Sequence, residues 1–126
     1  VGTPISADTA HTLTAMLVNS LENEASNALV EGYSVAGKTG TGEIATPLGY
    51  TTSSTNTSFV GWGPAEDPKF LVYIWLEKPE ISIWGSEVAA PVFSDLVKDL
   101  VVLMNIPPDN VRLAEKPSNN SLVISE

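Results

Sequence analysis

The run Phe70-Leu71-Val72-Tyr73-Ile74-Trp75-Leu76 is apolar at every position. As a strand, it turns Phe70, Val72, Ile74 and Leu76 to one side and Leu71, Tyr73 and Trp75 to the other, because successive side chains alternate across the pleat. A sheet containing such a strand must have both faces covered, which calls for helices on each side. The run is far too short to span a bilayer. Thr57 to Trp62 reads as a neighbouring strand, and Gly63-Pro64-Ala65-Glu66-Asp67-Pro68 between them has the prolines and acidic residues of a turn, so the pair forms an antiparallel hairpin with its second strand over Lys69 to Glu77.

The covering helices are legible on either side of this hairpin. Ser6 is a good N-cap, with Ile5 before it and Asp8 in the first turn, and the spacing predicts a helix from about Ala7 to Glu24 with an apolar stripe of Ala10, Leu13, Leu17 and Leu21. His11 falls off that stripe and reads as an ordinary exposed histidine rather than a base. A second helix follows Trp84-Gly85-Ser86, capped by Ser86 and bent at Pro91 or starting near Pro91. Its stripe comprises Val92, Phe93, Leu96, Val97, Leu100, Val101 and Met104, the pattern of a helix lying flat on a sheet. Ile106-Pro107-Pro108-Asp109 ends it. The expected fold class is α+β: an antiparallel sheet, three strands of it in this chain, flanked by helices on both faces. Residues 1–109 form the structured portion, and residues 110–126, with Lys116-Pro117-Ser118-Asn119-Asn120, read as linker or disordered tail.

The remaining strand carries the chemistry. From Tyr33 to Thr41 the residues favour an extended chain, with Tyr33, Val35 and Gly37 on one face and Ser34, Ala36 and Lys38 on the other. It ends in Lys38-Thr39-Gly40-Thr41, which places a cation, two hydroxyls and a residue without a side chain on consecutive extended positions, a set suited to gripping a carboxylate. Gly32 to Thr39 also fits the phosphate-loop pattern G-x-x-x-x-G-K-[ST]. That reading fails on context, because Thr39-Gly40-Thr41-Gly42, Thr46-Pro47 and Gly49 resist the helix that a phosphate cradle requires, and Tyr33 and Val35 crowd the loop. The Thr-, Ser-, Gly- and Pro-rich stretch from Glu43 to Thr55 reads as a long loop beside the tetrapeptide.

Bulk properties narrow the functions. With 126 residues the chain amounts to one domain or part of one, and Val1-Gly2-Thr3-Pro4 leads straight into a helix signal as in a piece cut from a longer protein. A formal net charge of −9 with only 6 Lys and Arg argues against nucleic acid and against direct contact with anionic membranes. With no cysteine and one histidine, no metal site and no cofactor are expected.

Taken in order, the first helix, the Lys38-Thr39-Gly40-Thr41 strand, the strand Thr57-Ser58-Phe59-Val60-Gly61-Trp62, the turn with Asp67-Pro68, the apolar strand and the helix opening Ala89-Ala90-Pro91-Val92-Phe93 resemble the C-terminal part of a penicillin-binding protein transpeptidase domain. The likeness covers about Ile5 to Asp109 and is greatest to the monofunctional class that works in cell elongation or division. It implies serine acyl transfer through a covalent intermediate, with the D-Ala-D-Ala end of a peptidoglycan stem peptide as substrate and β-lactams as mimics. Lys38 would place positive charge near the substrate carboxylate and the reacting serine. Thr39, Gly40 and Thr41 would complete the substrate-binding strand, and the Thr41 backbone N–H would be one oxyanion-hole donor. An extracytoplasmic location, anchored by a segment outside this chain, follows from the same resemblance.

The family pairs K-T-G with an upstream S-x-x-K carrying the nucleophile and with an S-x-N element. No Ser-x-x-Lys occurs here, and Ser54-Thr55-Asn56 and Ser118-Asn119-Asn120 come after Lys38 rather than before it, as chance matches would. The chain alone is therefore expected to be inactive, with the N-terminal part of the transpeptidase domain as its partner. A β-lactamase or D,D-carboxypeptidase of the same fold, or a sensor or interaction module without a nucleophile, are the alternatives. Asn56-Thr57-Ser58 and Asn119-Asn120-Ser121 are formal glycosylation sequons with no role in a bacterial cell-wall enzyme.

Overall fold

A computed structural model describes residues 2–114. Helix α1 spans Ala7–Glu24 as expected, and the Ser6 hydroxyl accepts the Thr9 N–H at 3.2 Å. Three strands follow, β1 over Ala36–Thr46, β2 over Gly49–Gly63 and β3 over Phe70–Glu77, in an antiparallel sheet ordered β1-β2-β3. Helix α2 spans Gly85–Leu103, and a short helix α3 spans Asp109–Ala114. None of these helices is long and apolar enough to cross a membrane.

Register fixes which residues share a face. Thr39 opposes Phe59 and Phe59 opposes Ile74, so Thr39, Thr41, Phe59, Gly61, Val72 and Ile74 look toward α2. The core sits there: Phe59, Ala89, Ala90, Phe93 and Val97 are wholly buried, with Leu21, Val35 and Val101 around them. The rings of Phe59 and Phe93 are 4.7 Å apart and tilted, a favourable aromatic geometry. They fit because Gly37 and Gly61, paired across β1 and β2, leave a notch beneath them. A Cβ at Gly61 would come within 2.6 Å of the Phe93 ring and 2.9 Å of the Phe59 ring. Gly61→Ala is therefore expected to destabilise by about 1–3 kcal/mol through overpacking, measurable by urea unfolding.

Several expectations need correction. The segment Glu43 to Thr55 is not a loop, because β1 and β2 continue as a hairpin to the turn at Pro47-Leu48, with an irregularity in pairing between Glu43 and Ile44. Threonine is as comfortable in a strand as in a loop, and the few apolar residues here, Ile44, Ala45, Leu48 and Tyr50, set up no sustained alternation. The Thr46 hydroxyl accepts the Leu48 N–H at 3.3 Å and donates to the Gly49 carbonyl at 2.6 Å, and Gly49 takes φ of 115°, so the turn is built from these residues. The first strand starts at Ala36 rather than Tyr33. Helix α2 begins at Gly85, with Ser86 inside it and Pro91 accommodated within. Its buried stripe is Ala89, Ala90, Phe93, Ser94, Val97 and Val101, whereas Val92, Leu96 and Met104 are exposed.

The start of the supposed tail is also structured. The Asp109 carboxylate accepts the Ser34 N–H at 2.7 Å, and Arg112 pairs with both Asp109 and Glu66 while donating to the Pro107 carbonyl at 3.0 Å. Burial lowers the Arg112 pKa, but the hydrogen bonds to Asp109 and Glu66 and their charges outweigh it, so the guanidinium is held more firmly protonated than usual. Periodicity could not mark a helix of 6 residues that is held by polar partners distant in sequence. The segment Lys116 to Asn120 lies outside the described residues.

Cover over the second face is incomplete. Helix α1 reaches the Lys38 side of β1, but only its Leu21 is buried, and Leu13 and Met16 are exposed. Leu71, Tyr73 and Trp75 of β3, which share the Lys38 face, are 67%, 60% and 52% exposed.

Candidate functional site

Lys38, Thr39, Gly40 and Thr41 occupy the middle of β1, an edge strand whose outer backbone groups have no neighbouring strand among the described residues. The chain stays extended from Gly37 through Thr46, so no helix follows the lysine and the phosphate-loop match has no structural counterpart. His11 is exposed on α1.

Alternation sends Lys38 to one face and Thr39 to the other, yet their functional groups meet. The Lys38 Nζ donates to Thr39 Oγ1 at 3.5 Å, which is possible because the long lysine stem curls around a free edge. The ammonium also lies 3.6 Å from the Glu24 carboxylate at the end of α1, with the two side chains 53% and 65% exposed. Nothing in the sequence linked Glu24 to Lys38, since their contact depends on how α1 docks. A surface cavity between α1 and the β2–β3 turn, lined by Ile5, Leu13, Trp62, Phe70 and Leu71, does not include the tetrapeptide. Among the described residues the tetrapeptide is an open ledge at the sheet edge, with Lys38 and Thr41 exposed and Thr39 and Gly40 half-buried.

A further neighbour was invisible to pattern reading. Gly85, the first residue of α2, is buried behind the ledge. A Cβ on it would sit 2.9 Å from the carbonyl oxygens of both Gly40 and Ser58, which are register partners, and 3.6 Å from Thr39 Cβ. The two carbonyls thus converge between β1 and β2, as in a hydrogen-bonded antiparallel pair. In the planar trans peptide joining Gly40 to Thr41 the N–H points opposite the carbonyl, so the Thr41 N–H is turned to the free edge of β1. Helix α2 has no side-chain cap from its own N-cap residue, Trp84. Instead the Gly85 N–H points to Thr41 Oγ1 at 3.5 Å. That hydroxyl keeps its own proton for a second partner.

The chemical capacity of this ledge is anion recognition without a nucleophile: an ammonium, two hydroxyls and one edge-facing N–H within four consecutive residues. Comparisons with known proteins bear on the family and the fold. The family model for the penicillin binding protein transpeptidase domain matches residues 1–98. A probable peptidoglycan D,D-transpeptidase, PbpC of Pseudomonas aeruginosa, is 41% identical over 86 residues, covering 68% of this chain and 15% of that protein. Stage V sporulation protein D of Bacillus subtilis is 34% identical over 96 residues, covering 75% of this chain and 15% of that protein. Among solved structures, the apo transpeptidase domain of Burkholderia pseudomallei penicillin-binding protein 3 superposes with a TM-score of 0.76 at 33% identity, over 83% of this chain and 33% of that one. Penicillin-binding protein 3 from Mycobacterium tuberculosis, solved with ampicillin, gives a TM-score of 0.72 at 28% identity, over 82% and 26% of the two chains. The chain thus spans 15% of the length of these two curated relatives.

Proposed function

The chain belongs to the penicillin-binding protein transpeptidase family, and we propose that it is the C-terminal part of a peptidoglycan D,D-transpeptidase, supplying the substrate-gripping strand while upstream polypeptide supplies the serine. The observation that carries this reading is the Lys38-to-Thr41 ledge on a free strand edge. A substrate strand lying along that edge would meet the Lys38 ammonium and the Thr39 hydroxyl, already 3.5 Å apart, with its carboxylate. The Thr41 N–H would stabilise the oxyanion as the serine attacks the carbonyl and the terminal D-alanine leaves. A Cβ at Gly40 would run into the Ser58 hydroxyl, so this position of the ledge stays without a side chain. Lys38 favours the developing negative charge, more so once the opposite wall excludes water.

The open face of β3 fits the same proposal. Leu71, Tyr73 and Trp75 would be covered by the missing portion of the domain, as an exposed apolar face and strand edge need cover to avoid aggregation. The substrates are the stem peptide and β-lactams, and the working location is the outer side of the cytoplasmic membrane.

Fluorescent penicillin tests the reading. The full-length protein is expected to be labelled covalently, with label on a serine upstream of residue 1, and the isolated chain to take no label. Labelling of a residue within this chain would remove the proposal, and no labelling of the full-length protein would remove it in favour of a sensor module. If the acyl-enzyme forms but is hydrolysed within seconds, the protein is a β-lactamase instead.

A further inference from the structure

We infer that Gly85 is a positioning residue for the acyl-transfer site, holding the Thr41 N–H in register from behind the strand. The inference rests on the transpeptidase reading above. Gly85 contributes nothing to a substrate directly, since it is buried on the α2 face of the sheet. Its role follows from what it touches. The space for a Cβ at this position is already taken by the Gly40 and Ser58 carbonyl oxygens at 2.9 Å, and backbone atoms cannot rotate away as a side-chain end can.

The Gly40 carbonyl and the Thr41 N–H are the two poles of one rigid peptide plane. Any push on the carbonyl from α2 therefore tilts the N–H on the opposite pole. The Gly85 N–H reaches Thr41 Oγ1 at 3.5 Å, so α2 touches the peptide unit at one pole and its side chain at another point. Three contacts in turn seat the start of the helix. The Thr55 hydroxyl donates to the Ile83 carbonyl at 2.7 Å, the Trp84 N–H to the Ser82 hydroxyl at 3.1 Å, and the Asn27 amide to the Ser86 carbonyl at 3.1 Å. The helix start is thus a fixed stop against which the Gly40–Thr41 peptide rests.

Two groups on the same strand should respond differently to a displaced peptide. The Lys38 and Thr39 side chains have rotatable bonds and can follow a carboxylate through a shift of a few tenths of an ångström. The Thr41 N–H has no such freedom. Binding should survive and chemistry should suffer, with a loss of about tenfold, below the roughly hundredfold that a 1 Å misplacement costs.

The test uses the full-length protein and a chromogenic or fluorescent penicillin, with acylation followed at subsaturating and saturating concentrations and scaled to the folded fraction. Gly85→Ala is expected to lower the limiting acylation rate about tenfold while the half-saturating concentration moves less than about threefold. Gly61→Ala, which crowds the Phe59–Phe93 pair, serves as a control that lowers stability but leaves acylation per folded molecule unchanged. Should Gly85→Ala not fold, Thr55→Val releases the Ile83 carbonyl and loosens the same stop without adding an atom at position 85. It is expected to show the same split on a smaller scale, about threefold. An unchanged limiting rate in Gly85→Ala, or in Thr55→Val if the first variant is lost, overturns the inference. So does a fall in binding and rate together, or an equal fall in Gly61→Ala. A wild-type protein that takes no penicillin refutes the transpeptidase reading itself, a separate outcome.

Discussion

Phe93→Ala is expected to cost the full-length protein about 3–5 kcal/mol of stability, the usual range for emptying a fully buried aromatic site. Phe93 is wholly buried in α2, its ring 4.7 Å from that of Phe59 and filling the notch over Gly61, while the Phe59 ring lies over both Gly37 and Gly61. The notch cannot close after truncation, because β1 and β2 are held at their spacing by paired backbone groups on either side of the two glycines. Lost transfer energy and a residual cavity therefore add. Against a total of about 5–15 kcal/mol for a typical domain, the loss is a large share. Leu96→Ala on the same helix removes a side chain that is 41% exposed and should cost under about 1 kcal/mol. Denaturant midpoints of the two variants check the contrast, and a Phe93→Ala cost as small as that of Leu96→Ala would contradict the described core.

The sequence made some of this legible and not the rest, for reasons that lie in particular residues. Helix α1 was fixed by local signals, the Ser6 cap and the leucine spacing, and its bounds hold. The β2–β3 hairpin was fixed by an apolar run and a proline-bearing turn. Extension of β1 and β2 past Glu43 was missed because Thr, Ser, Gly and Pro outnumber Ile44, Ala45, Leu48 and Tyr50, which do not alternate, and the strands there are defined by their pairing. Helix α3 was missed because its anchors, Ser34 and Glu66, lie far away in sequence. At the ledge, Lys38 to Thr41 stood out by composition, whereas Gly85 and Glu24 depend on tertiary docking and carry no local mark. Even the exposed stripe of α1 has a physical logic: an amphipathic pattern announces that a face will be covered without saying by which polypeptide.

Lys38→Ala should lower the rate of penicillin acylation of the full-length protein by about 10²–10³-fold, the size of effect seen when one preorganised electrostatic group is removed from an acyl-transfer site. Stability should hardly change. The lysine side chain is 53% exposed, and its pair with Glu24 at 3.6 Å is a surface ion pair of the kind that contributes little. The charge is thus held at the strand edge for something other than folding, and its nearest neighbour on the ledge is the Thr39 hydroxyl rather than a buried counter-ion. Glu24→Gln, which frees the ammonium from its carboxylate without touching the ledge, should leave the acylation rate within about threefold, because an exposed pair is already screened by solvent. Lys38→Arg keeps the charge but replaces a compact ammonium with a planar fork that cannot occupy the same position between the Thr39 hydroxyl and a carboxylate, so an intermediate loss is expected. Rates are read by stopped-flow or quenched labelling, with thermal unfolding of each variant alongside. A Lys38→Ala protein that acylates at near the wild-type rate would mean that the ledge does not grip the substrate, whatever the family of the chain.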